Sequence, residues 1–391
     1  MKAHTPPTWM LEFALALGLA KVMEGLLIRI RLPRVLSYVL AGIILVSVGF
    51  TLSETMYAFA ILGIVTMLFH AGLSSSTREF FRGLRIAGSI AIGGVVGALA
   101  AGFVTIPLLN VDWLTAFSIG VILSATSVSL TVQTLEELGR VASIEATAII
   151  GAAVVDDVLG LALLSTIIGV SGGIIRIEYV VGISALAFAF WLIVSYGFQT
   201  VSRPLLKFAI KTDIEAPLLT LSFILLMILS YVAAYVNLSA ILLAYALGLG
   251  LASYPFLAKR ILYKIEPIIS LFTPLFFVYS GMLVDIHALI YEELIKHIYT
   301  ILIILSLAIA SKLLGCYVAA RILGFDHYTS LIIGVGMMPR AEVMLTAATL
   351  IYNLGLITHD IYIGFLLILP LTTLTVPPLL KYFYSKKARI H

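Results

Sequence analysis

The sequence predicts an all-α protein that crosses a lipid bilayer about a dozen times, and three observations carry that prediction. First, 61% of its 391 residues are hydrophobic and only 11% are charged. Soluble domains carry about 25% charged residues, so this chain has too few to coat a surface that faces water. Second, apolar stretches close to the ~20 residues that a bilayer span requires recur almost from end to end. Third, Lys and Arg gather at alternate ends of those stretches. No soluble catalytic motif and no nucleic-acid-binding motif is present. The single cysteine, Cys316, excludes an intramolecular disulfide and has no metal-site spacing.

Apolar stretches bounded by charges or by Pro and Gly predict thirteen spans. They fall near 9–29, 35–52, 55–73, 86–108, 113–135, 143–169, 178–201, 216–236, 238–254, 267–284, 298–320, 328–353 and 360–380. The first carries Glu12, Lys21 and Glu24 and is followed by no small-residue cleavage pattern, so it reads as a retained span rather than a cleaved signal. No Gly/Ser linker or low-complexity tract interrupts the series. The tail after Lys381 is too short for a nucleotide-sensing module, so no soluble regulatory domain is expected.

Loop charge predicts orientation. Eighteen Lys and Arg follow the odd-numbered spans or close the chain, whereas Lys2, Arg176 and Lys296 alone fall on the other side. Basic loops stay in the cytoplasm. With thirteen spans, the N-terminus is expected outside, the C-terminus in the cytoplasm, and the chain in the cell membrane.

Beyond the first, three spans carry charges near their centres, where an acid or base costs about 2.5–3.5 kcal/mol on insertion scales. Span six holds Asp156 and Asp157 in Val-Val-Asp-Asp-Val-Leu-Gly, span eleven holds Lys312, and span twelve holds Arg340 and Glu342 in Met-Met-Pro-Arg-Ala-Glu-Val. Adjacent helical residues point ~100° apart, so the two aspartates need not share a partner. One can pair with a base on a facing helix while the other faces a water-filled cavity. Lys312 is the natural base for that pairing, either as part of a working site or as simple neutralisation within the packing.

Two spans also carry helix-breaking chemistry. Span five has Ser-Ala-Thr-Ser-Val-Ser at 124–129, and span twelve has Gly334, Gly336 and Pro339 at its middle. Pro removes a backbone donor, Gly weakens a helix, and hydroxyls can satisfy freed backbone groups. Each is the fifth span of a group of six, with span seven between the groups. That arrangement predicts two inverted six-helix repeats with two broken crossing helices, the layout of transporter sites built from half-helices.

These residues resemble the monovalent cation:proton antiporters, specifically the Asp-Asp branch that includes NapA-like and NhaA-like sodium/proton antiporters. The likeness runs over the whole chain and rests on four elements in order: residues 154–160, Ser-Ala-Thr-Ser at 124–127 with Leu-Glu-Glu-Leu-Gly at 135–139, Lys312, and residues 337–343. It implies exchange of Na⁺ or Li⁺ for H⁺ by alternating access, electrogenic, with no cofactor beyond the transported ions. Asp157 is then the main carboxylate for cation and proton, Asp156 pairs with Lys312, and Thr126 and Ser127 line the site. Arg340 and Glu342 resemble supporting charges. The resemblance also implies a homodimer. Residues 86–169 and 298–380 would form an ion-transport core, residues 9–73 and 216–284 a dimerisation bundle, and residues 178–201 the connecting helix.

The chain departs from the family pattern at three places. Ser74 follows Ala71-Gly72-Leu73 where an acid is common, Ala341 stands where Gly is common, and Ala152 stands where an Asn-Asp branch carries an acid. The last supports the Asp-Asp branch. His70 near Ser74 is either a pH-sensitive group or a structural one. Nothing in the motifs fixes ion size, which leaves potassium/proton exchange open. An ion channel would need a filter-like Gly-rich loop, and an intramembrane aspartyl protease a Gly-x-Gly-Asp tetrapeptide; the sequence has neither.

Overall fold

The computed structural model describes residues 8–29, 34–51, 53–171, 186, 189–201, 204, 217–235, 240–283, 297–340 and 342–388. Among the described residues every regular element is a helix. They run α1 (Thr8–Arg29), α2 (Arg34–Ser47), α3 (Glu54–Ser74), α4 (Thr77–Leu109), α5 (Trp113–Ser124), α6 (Val128–Glu137) and α7 (Ile144–Ser171). Then come α8 (Ala189–Val201), α9 (Pro217–Tyr235), α10 (Ala240–Leu251), α11 (Pro255–Met282), α12 (Ile298–Ile322), α13 (His327–Gly336), α14 (Glu342–Asn353) and α15 (His359–Lys387). Among the described residues, seven helical segments are long and apolar enough to cross a membrane.

Most helices begin and end within a few residues of the apolar stretches. Two do not. Helix α4 starts at Thr77, and α11 starts at Pro255, so Arg78, Arg82, Arg85, Lys259, Arg260 and Lys264 lie on helices rather than in loops. Hydropathy marks where apolar surroundings end, but backbone hydrogen bonding continues into the polar zone. Pro255 opens α11 because its missing N–H is one the helix leaves unpaired there anyway. The first part of the seventh expected span and the opposite-side residues Lys2, Arg176 and Lys296 lie outside the described residues.

The helices pack in two groups. In one, α3 lies between α10 and α11, with α1, α2 and α9 around them. In the other, α4 packs on α5, α7 and α12, and α12 packs on α13 and α15. Among the described residues, contact between the groups runs from α6 to α2 and α3, from α15 to α2, and from the start of α4 to α10, where the Phe80 and Tyr245 rings lie 5.6 Å apart. Glycine makes the closest approaches possible. A Cβ on Gly72 would sit 2.3 Å from the Tyr245 carbonyl oxygen, and one on Gly248 would sit 2.2 Å from that of Phe69. Helices in lipid lack a hydrophobic drive to associate with one another, so such backbone proximity supplies the packing.

Segment ends that the sequence assigns to the basic side lie together. Lys387 Nζ meets Glu145 Oε1 at 2.5 Å, and Glu137 accepts hydrogen bonds from the backbone N–H groups of Arg34 and Val35 at 2.8 and 3.1 Å.

Candidate functional site

Both expected breaks are present, and they touch. Span five divides into α5 and α6 around Ala125 to Ser127, whose backbone is extended (Ala125 φ −62°, ψ 135°; Ser127 φ −105°, ψ 113°). Span twelve divides into α13 and α14, with Met338, Pro339 and Arg340 in irregular backbone. Freed backbone groups inside a membrane protein must find partners. The two breaks satisfy each other: the Ser127 N–H donates to the Pro339 carbonyl at 2.8 Å, and the Thr131 hydroxyl donates to that of Gly336 at 2.6 Å.

Arg340 completes this junction. It is buried, and its guanidinium donates to the carbonyl of Ala125 and, at 3.3 Å, to that of Ala308. A cation at the C-terminal end of α5 meets the negative end of the helix dipole. The sequence marks Arg340 as a mid-span charge; its place in the structure is that of a cap on a broken helix. Glu342 opens α14, but its side chain lies outside the described residues.

Helix α7 carries the aspartates past the junction. Asp156 and Lys312 are both buried, at 2% and 0% exposure, and their charged atoms stand 2.5 Å apart. The Thr126 hydroxyl donates to the same carboxylate oxygen, Oδ2, at 2.6 Å. The other oxygen, Oδ1, is buried without a hydrogen-bond partner among the described residues. Asp157, one residue on, is only partly buried. Ser127 Oγ lies 2.9 Å from Ser129 Oγ, so that hydroxyl is engaged along its own half-helix.

Some residues of this region escape a sequence reading. Lys312 has room because Gly94 faces it: a Cβ there would lie 2.8 Å from Cys316 Sγ and 3.1 Å from both Cδ and Nζ of Lys312. Paired glycines at 93 and 94 inside an apolar span are the signal that could have found this. Glu136 accompanies His70, Nδ1 to Oε1 at 2.9 Å, and ties α6 to α3. No sequence signal links positions 66 residues apart.

The model of the transmembrane sodium/hydrogen exchanger family matches residues 14–382. The chain belongs to that family. It is a family of transporters, not of enzymes, and its members are membrane proteins. Among relatives, the Na(+)/H(+)-K(+) antiporter GerN of Bacillus cereus is 29% identical over 382 residues, which is 96% of either chain. The high-affinity Na(+)/H(+) antiporter NhaS3 of Synechocystis is 31% identical over 84% of this chain and 71% of its own. The fold is similar to that of the sodium proton antiporter MjNhaP1 from Methanocaldococcus jannaschii, with a TM-score of 0.64, 17% identity and 96% of each chain covered.

Proposed function

We propose that this protein exchanges Na⁺ or Li⁺ for H⁺ across the cell membrane by alternating access at the Asp156–Asp157 site. The observation that carries the reading is the buried Asp156–Lys312 pair beside two crossing helix breaks, with a second, partly exposed carboxylate next to it. A carboxylate holds a proton or a cation and seldom both, so a single site can couple the two flows. Asp157 releases one proton as the cation arrives. Lys312 releases a second and frees Asp156 to join the cation, with Thr126 and Ser127 at the helix break. One cation moving against two protons transfers net charge, which makes the exchange electrogenic.

On this reading the α4–α7 and α12–α15 group is the ion-transport core, and it moves against a dimerising bundle of α1–α3 and α9–α11. The chain acts as a homodimer. Its thirteen spans form two inverted repeats, with the N-terminus outside and the C-terminus in the cytoplasm. Potassium is a second candidate cargo, because nothing in the motifs fixes ion size and the relative GerN is a Na(+)/H(+)-K(+) antiporter.

The test is Asp157→Asn, which keeps size and removes the titratable charge. In proteoliposomes this variant should insert normally and lose cation-driven proton movement by at least ~100-fold, as expected when an essential proton carrier is removed. Comparing Na⁺, Li⁺ and K⁺ gradients in the parent assigns the cargo. Near-parental exchange by a well-folded Asp157→Asn protein overturns the assignment.

A further inference from the structure

Away from the aspartates, at the end of the molecule where the basic segments gather, a cavity of about 910 Å³ opens between the two helix groups. Its floor is the Ser74–Thr77 turn and the first residues of α4. That floor is firmly held. Ser75 Oγ donates to the Ala71 carbonyl at 2.8 Å and accepts from the buried Tyr245 hydroxyl at 3.1 Å, while Thr77 Oγ1 donates to the Leu249 carbonyl at 2.7 Å. Around it stand Arg78 and Arg82 of α4 and Lys259 of α11, with Gln199 of α8 at the side.

The charge that the described lining brings to this cavity is unbalanced. Among the described residues its lining holds three cations and no carboxylate, and none of the three forms an ion pair. Basic residues on the cytoplasmic side need no ligand when they simply face water and lipid headgroups. Arg85 and Arg260, on the same helices, fit that account: neither lines the cavity, and Arg260 instead lies 4.4 Å from the centre of the Phe256 ring. Arg78, Arg82 and Lys259 differ because they converge on one concave space at the N-terminus of a 33-residue helix. Guanidinium groups match phosphate oxygens with two parallel hydrogen bonds, lysine adds a point charge, and a helix N-terminus attracts anions.

We propose that this cavity binds a phosphate-bearing anion, held between α4 and α11 by Arg78, Arg82 and Lys259. Two sources share that chemistry: a free phosphate compound, or the headgroup of an anionic lipid. A second, largely apolar cleft of about 400 Å³ shares Arg82 and is lined by Ile86, Ile144, Ala148 and Phe325, where an acyl chain fits. Because α4 and α11 belong to different helix groups, an occupant bridges them and favours the arrangement in which the three cations face each other. If the groups move as proposed above, the anion regulates exchange; binding itself does not rest on that reading.

Binding is therefore measured without transport. Full-length protein in neutral detergent is melted with inorganic phosphate or pyrophosphate against sodium chloride at equal ionic strength. In parallel it is melted with phosphatidylglycerol against phosphatidylcholine in mixed micelles. Occupation of the native state should raise Tm by about 3 °C or more in at least one arm. A rise with soluble phosphate assigns a free anion; a rise with phosphatidylglycerol alone assigns a lipid headgroup. The shift should vanish in a triple variant, Arg78→Gln with Arg82→Gln and Lys259→Gln, and persist in Arg85→Gln. Should the triple variant fail to fold, Lys259→Gln alone, at an exposed side chain, should at least halve the shift. No rise in either arm, or an undiminished rise in the cavity variants, overturns the proposal.

Discussion

Lys312 and Asp156 meet where either charge alone would be severely destabilising. Both are buried, and Thr126 adds a second hydrogen bond to the shared carboxylate oxygen. Breaking a buried pair by removing one partner costs about 3–5 kcal/mol, since it strands the other charge. Lys312→Gln and Asp156→Asn should therefore each lower the melting temperature of the purified protein substantially. The double variant should lose less than the sum of the two, because no lone charge remains. Strictly additive losses would show that the pair contributes no coupling and that the lysine has another role. On the proposed mechanism, Lys312→Gln should also weaken the dependence of exchange on membrane potential.

At the level of elements, α4 and α12 are held together by what their glycines lack. A Cβ on Gly315 would lie 2.4 Å from the Gly93 carbonyl oxygen, which is backbone and cannot swing aside. At Gly94 the nearest atoms belong to Cys316 and the flexible Lys312 side chain, and at Gly88 nothing lies within 4 Å. Replacement by Ala should thus be graded. Gly315→Ala forces the helices apart and should cost about 1–3 kcal/mol, the usual range for overpacking. Gly94→Ala should cost less but displace the lysine. Gly88→Ala should gain ~0.5–1 kcal/mol from helix preference. Melting temperatures in one detergent give the order, and equal values for Gly315→Ala and Gly88→Ala would contradict the close packing.

These glycines also show where sequence reading ends. The spans were legible because twenty apolar residues have few alternatives to a membrane helix, and the breaks were legible because Pro339 and the 124–129 hydroxyls change local backbone chemistry. The pairing of Asp156 with Lys312 was readable as charge balance alone. Contacts such as Ser127 with Pro339 or Gly94 with Lys312 join positions more than 200 residues apart, and no local rule encodes them. The helical extensions at Arg78 and Lys259 were hidden for another reason: charge marks the membrane edge, not the helix end.

At the scale of the whole molecule, and among the described residues, the two helix groups are joined less closely than each is packed within. Besides α15 on α2, the links include α6, whose Glu137 accepts from the first N–H groups of α2 and whose Glu136 meets His70 of α3, and the start of α4, whose Thr77 hydroxyl donates to Leu249 of α10 and whose Phe80 ring lies 5.6 Å from that of Tyr245. The two glutamate contacts are polar and lie near the basic end. If exchange requires the groups to slide, a covalent bridge at this seam should stop it, whereas a bridge inside one group should not. The test uses a Cys316→Ala background. Cysteines replace His70 and Glu136, whose side chains meet at 2.9 Å across the seam. In a control, cysteines replace Glu12 and Ser53, which hydrogen-bond at 2.6 Å within one group. Each pair is joined by a reducible bifunctional thiol reagent after reconstitution, and exchange is followed before linking, after linking and after reduction. The 70–136 bridge should reduce exchange by at least ~10-fold, equivalent to 1.4 kcal/mol on the barrier, and reduction should restore it. The 12–53 bridge should leave it unchanged. Full exchange by fully linked 70–136 protein would mean that ions cross without the groups parting at this seam.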